Sequence, residues 1–173
     1  GARLGRAALA ALIVSAALAH ACREPTEIGV ELSTDVKCVD LRGTTLTIGR
    51  IGEIESKPAT AATVQCSDDG RIGALVVVPS GDRADTVAVK IVSAVGRDPE
   101  SCVAPQYGSG CIVARRALRF LPSTSVHLPI FMALSCSGVP CDVTQTCAHG
   151  ICVEATIDTE RCVTSGCDEA VLF

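Results

Sequence analysis

Eleven cysteines constrain this chain more than any other feature, because they fall into two populations of different density. Cys38, Cys66, Cys102 and Cys111 are sparse, whereas Cys136, Cys141, Cys147, Cys152, Cys162 and Cys167 crowd into the C-terminal stretch from residue 136 onward. The crowded spacing is C-x4-C-x5-C-x4-C-x9-C-x4-C, and no C-x-x-C occurs. Thioredoxin-like redox chemistry and zinc-ribbon knuckles therefore have no motif to rest on. In an oxidising compartment such thiols pair as disulfides. Sequence alone permits many connectivities; the pairings expected are Cys38–Cys66, tying two strands, and Cys102–Cys111 in the body of the chain. An interlaced Cys136–Cys147 and Cys141–Cys152 then build a compact knot, and Cys162–Cys167 closes a small ring. Each loop contributes a few kcal/mol by restricting the unfolded chain. That contribution matters most where the volume is too small for a core.

The eleventh cysteine, Cys22, sits directly after a segment laid out as an export signal. Arg3 and Arg6 supply a positive start, Ala7 to Ala19 form an apolar run broken only by Ser15, and Ala19-His20-Ala21 offers a cleavage site. Thirteen helical residues rise about 20 Å, less than the roughly 30 Å hydrocarbon core, so a membrane span is the weaker reading. Residues 1–21 are thus expected to be a signal peptide and 22–27 a linker. Leu18-Ala19-His20-Ala21-Cys22 resembles a lipobox, with Leu18 one place early. Lipidation of Cys22 would leave ten thiols, an even set, and would tether the protein to a membrane. Ordinary cleavage after Ala21, giving a soluble secreted form, is the alternative. Loss of Arg3 and Arg6 takes the formal charge from −4 to −6.

Between residues 28 and 134 the hydrophobic period is two. Ile28, Val30 and Leu32 alternate with Gly29, Glu31 and Ser33, and Val126, Leu128, Ile130 and Met132 alternate with His127, Pro129 and Phe131. Ala74 to Val78 is a continuous apolar run, read as a strand buried on both faces. Pro129 lacks an N–H and marks its strand as an edge or a bulge. Asp68-Asp69-Gly70 reads as a hairpin turn, and Pro79–Asp82 and Arg97–Glu100 as loops. No stretch after the signal shows a 3.6-residue period. The expected fold is all-β: an immunoglobulin-like β-sandwich over 28–134, a disulfide-rich knot over 135–153, and a tail with a small disulfide loop over 154–173. A small closed barrel is the other architecture the pattern admits.

Functional chemistry is sparse. Four aromatics and a negative charge exclude a stacking or phosphate-tracking surface, so no nucleic-acid partner is expected. Ser80, His127 and Asp82 could be named as a triad only by picking from composition, and Ser109 in Tyr107-Gly108-Ser109-Gly110 does not form a nucleophile elbow. No catalytic residue, metal site or cofactor is expected. Asp68, Asp69, Asp82 and Asp85 read as a solvated acidic loop set without the EF-hand pattern. His127 reads as exposed and His149 as a turn residue. Arg115 and Arg119 share one strand face, a stripe that could meet an acidic partner or lipid headgroups and is read first as a solvent-exposed charged face that guards an edge.

Cys136-Ser137-Gly138-Val139-Pro140-Cys141 and Thr146-Cys147-Ala148-His149-Gly150-Ile151-Cys152, following the Cys111–Arg116 and Leu128–Ile130 strands, together resemble a group of uncharacterised, cysteine-rich exported lipoproteins of myxobacteria. The lack of asparagine and the arginine bias, marks of a GC-rich genome, agree with that resemblance. It implies an envelope location and carries no activity. The functional expectation is a non-catalytic envelope lipoprotein, a surface or periplasmic binding or spacer module with a protein partner at the cell surface. The alternatives are the N-terminal segment of a larger secreted enzyme or repeat protein, and a disulfide-rich inhibitor-like module.

Overall fold

The structure, a computed structural model, describes residues 24–82 and 84–173. The signal-peptide reading of 1–21 and the lipidation reading of Cys22 lie outside the described residues. The described chain is mostly β-sheet, with nine strands and one short helix. In chain order these are β1 (Glu27–Thr34), β2 (Leu41–Gly49), β3 (Ala61–Thr63), β4 (Arg71–Val77), β5 (Thr86–Val95), β6 (Cys111–Arg119), β7 (Ser125–Met132), β8 (Gln145–Ala148), β9 (Ile151–Glu154) and α1 (Thr159–Ser165). Among the described residues no helix is long and apolar enough to cross a membrane.

Two sheets share one core. Strand order is β4-β1-β7 in the first and β3-β2-β5-β6 in the second, while β8 and β9 form a separate ribbon. Alternation decides which side chains meet between the layers. Ile28, Val30 and Leu32 of β1 are buried beside Val126, Leu128, Ile130 and Met132 of β7, which runs parallel to β1. Val87, Val89 and Ile91 of β5 face them from the second sheet within the same cluster. Each such side chain contributes about 1.5–3 kcal/mol through burial. Pro129 lies in β7, an edge strand, where its missing N–H costs no ladder bond.

The second sheet is buried on both faces along β5 and β6. Ile54, in the 3-10 turn Glu53–Glu55, packs on Ala88 and Ala117, whose small side chains leave room for a loop above the sheet. Tyr107, in the loop closed by Cys102 and Cys111, packs beside Val92 and Val113 on the same face.

Three expectations are corrected. The Ala74–Val78 run is not buried on both faces: β4 is an edge strand, and Val76 and Val78 are exposed. Asp68-Asp69-Gly70 is a turn but not a hairpin, because β3 and β4, which it connects, belong to different sheets. Gly70 is required there, because φ is 80° and an added Cβ would collide with the Thr34 carbonyl oxygen. Finally, Thr159–Ser165 is helical, its first turn capped by the Asp158 carboxylate accepting from the Glu160 amide. Seven residues are too few to display a helical period, so this element left no pattern in the sequence.

Five disulfides join Cys38 to Cys66, Cys102 to Cys111, Cys136 to Cys147, Cys141 to Cys152, and Cys162 to Cys167. Cys38 and Cys66 tie two loops rather than two strands. Cys147 and Cys152 are register partners in the β8–β9 ribbon, and each is bolted to the preceding loop. His149 and Gly150, both at positive φ, make the two-residue turn between those strands.

Candidate functional site

Two sheets have four edges, and their treatment differs. The outer edge of β6 is closed by the C-terminal region. The Cys111 carbonyl accepts from the Gly138 amide, the Ala117 amide donates to the Ala155 carbonyl, and the Ala117 carbonyl accepts from the Ile157 amide. The Arg115 and Arg119 amides donate to the Thr146 and Thr159 hydroxyls at 3.0 and 2.9 Å. The knot and tail therefore finish the hydrogen bonding of an otherwise open strand. The β7 edge carries Pro129 and faces α1. β3 is only three residues long.

β4 is different. It pairs with β1 on one side, and among the described residues no strand pairs with the other. Its only charged residue, Arg71, is held by Glu31 at 3.4 Å. Between β4 and β3, at the open side of the two layers, lies an apolar cleft of about 250 Å³. Leu46, Ala61, Thr63, Ile72 and Leu75 are among the residues lining it, and none of the lining residues is ionisable. Gly73, also in the wall, contributes no side chain, and a Cβ there would meet nothing within 4 Å.

A second feature is a buried charge cluster on the outer face of the other sheet. Lys90 and Arg115 are cross-strand partners, a like-charge juxtaposition that is unfavourable alone. Glu55 lies over both: its carboxylate accepts from Arg115 Nε at 2.7 Å and stands 3.7 Å from Lys90 Nζ. Tyr107 donates its hydroxyl to Glu55 Oε2 at 2.5 Å, and its ring lies 5.7 Å from the Arg115 guanidinium carbon. Burial alone would raise the Glu55 pKa. Hydrogen bonds from Arg115 and Tyr107 and the charges of Arg115 and Lys90 outweigh it, holding the carboxyl below its ordinary range. Burial lowers the Lys90 pKa, with Glu55 opposing. Burial and the neighbouring Glu55 raise that of Tyr107.

The expected solvent-exposed arginine stripe is corrected here. Arg115 and Arg116 are both buried, and only Arg119 is exposed, paired with Glu160 at 2.7 Å. Arg116 points between the layers, where its Nη1 donates to the Arg115 carbonyl and the Thr146 hydroxyl. Its Nη2 stands 3.6 Å from Glu169 Oε1, a contact too long for a hydrogen bond, while Glu169 Oε2 lies 3.3 Å from His149 Nε2. Burial pushes the Arg116 pKa down to about 10, with Glu169 opposing.

The other sequence candidates do not assemble into a site. Ser80 lines a cleft with Asp85 and Phe120, while His127 lies on the outer face of β7, exposed and 3.0 Å from Glu31. Asp69 accepts from the Ser67 hydroxyl, and Asp82 from the Ala84 amide, so each is engaged within its own loop. Among the described residues no group of three or more His, Cys, Asp or Glu could hold a metal ion. No family model, curated protein or solved structure matches this chain.

Proposed function

We propose that the protein is a non-catalytic envelope lipoprotein, tethered through an acylated Cys22, whose immunoglobulin-like sandwich is a binding module braced by the C-terminal knot. Five disulfides support an oxidising, extracytoplasmic setting. The observation that carries the binding reading is the unequal treatment of the edges. The β6 edge is covered by the disulfide-stapled C-terminal chain, while among the described residues nothing pairs with the outer edge of β4 or fills its cleft. A pure spacer gains nothing from an open edge whose one charge is already paired, which invites aggregation.

Location and binding are tested separately. Cells fed a labelled fatty acid label the wild-type protein but not Cys22→Ala, which shifts to the soluble fraction; an unlabelled wild type refutes the anchor. For binding, a photo-crosslinking residue is placed in turn at Ala74, Val39 and Val163, all exposed on different parts of the surface. Adduct formation in intact cells from at least one position is expected. Absence from all three leaves an inert spacer.

A further inference from the structure

We infer that β4 and the adjoining cleft take one kind of partner: an uncharged, extended peptide segment that adds to the β4 edge as a further strand. The inference rests on the binding-module reading and deepens it. Three features converge on it.

The first is backbone. A seven-residue edge strand offers a row of N–H and C=O groups along its open side, and only another extended chain satisfies such a row. Of the devices that usually blunt an edge, β4 has one, an extra residue, Ile72, at a register shift near its start, and from Gly73 to Val77 its pairing is regular. It holds no lysine and no proline, and its single arginine is already paired with Glu31.

The second is volume. A strand laid beside β4 would direct alternate side chains toward the gap between the layers. That gap is unfilled because Gly73 provides no side chain in its wall. Leu75 is correspondingly only partly buried, although it pairs with Val30 in the core-facing register. A β-branched side chain from the partner would complete the packing.

The third is charge. The cleft wall contains no ionisable group, in a chain where 20% of residues are charged. An ion entering it would lose hydration with no counter-charge in the wall to offset the loss. Among the lining residues, Thr44, Thr45, Thr63 and Gln65 carry the polar side chains, all of them neutral. Electrostatic matching therefore selects a neutral segment alternating apolar and small polar residues.

The probe is a short peptide alternating valine and threonine, carrying a dye on a charged end, and its binding to the full mature chain is followed by fluorescence anisotropy. Hydrogen exchange of the backbone amides locates it. The expected result is saturable binding with added protection confined to residues 71–77. Replacing two inward valines of the peptide by aspartate should abolish binding. Gly73→Leu, which fills the cleft from within, and Ala62→Asp, which places a carboxylate at its exposed rim, should each weaken binding about tenfold or more. Circular dichroism confirms that both variants fold. Protection elsewhere, unchanged affinity in both variants, or equal binding of the aspartate peptide overturns the inference. So does a concentration-dependent dimer protected at β4, which would make a second copy the occupant. Absence of peptide binding alongside crosslinks from Val39 or Val163 defeats the cleft alone, whereas absence of crosslinks from every position defeats the binding module itself.

Discussion

Glu55→Gln should destabilise the protein by about 3 kcal/mol while leaving its shape unchanged. The carboxylate is the partner of two buried cations, and its own side chain is 12% exposed. At an effective dielectric of about 20, the contacts at 2.7 and 3.7 Å are each worth roughly 4–6 kcal/mol of attraction. Most of that offsets the several kcal/mol needed to remove each ion from water. Glutamine cancels the attraction but leaves the desolvated Lys90 and Arg115 in place, facing each other across β5 and β6. The loss therefore falls at the lower end of the about 3–5 kcal/mol typical of a half-broken buried pair. The assay is equilibrium unfolding in guanidinium chloride with disulfides intact, where the midpoint should fall at an unchanged slope. Acid adds a second reading. Because the folded pKa of Glu55 is depressed, its contribution is present above the unfolded value near about 4.3 and is lost as pH falls through the lower folded value. Glu55→Gln should flatten that acid limb. A triple replacement of Glu55, Lys90 and Arg115 by apolar residues should recover much of the loss, since it removes the stranded charges. A Glu55→Gln protein within about 0.5 kcal/mol of wild type would refute the cluster as a coupled, desolvated unit.

Three further outcomes follow from neighbouring contacts. Thr146→Val removes the hydroxyl that accepts from both the Arg115 amide and Arg116 Nη1, and should cost about 1–3 kcal/mol in denaturant unfolding. Glu169→Gln leaves Arg116 buried without a counter-charge, so limited proteolysis under native conditions should cut beyond residue 158 faster than in wild type. The single tyrosine allows a direct titration without interference from other phenols or any indole. Because burial and Glu55 raise the Tyr107 pKa, phenolate absorbance should develop well above pH about 10 in the folded protein and near it after unfolding. By linkage, Tyr107 favours folding below the unfolded pKa, and that contribution is lost as pH rises toward the folded one.

What a sequence shows of such a fold is the period of each strand; what it hides is the company each face keeps. Alternation marks Val126 to Met132 and Ile28 to Leu32 as half-buried strands, and Pro129 marks the edge, because those signals are local. The same rule misleads at Arg115, where charge suggests solvent. Glu55 reaches it from 60 residues away, and Tyr107 and the Gln145 carbonyl complete its surroundings. Such coverage depends on where loops land, which no window along the chain records. A trace exists in retrospect: Ala88 and Ala117, small residues facing outward on register-paired strands, mark the place where Ile54 can settle. The error at Ala74–Val78 has the opposite cause. Continuous apolarity is what a strand covered on both faces requires, but it is equally what an edge requires if a partner is to cover it. Periodicity cannot separate the two, whereas Gly73 can. Inside a covered strand, a glycine whose added Cβ meets nothing within 4 Å would be a packing defect. At the mouth of a cleft it is the missing side chain that an incoming strand supplies.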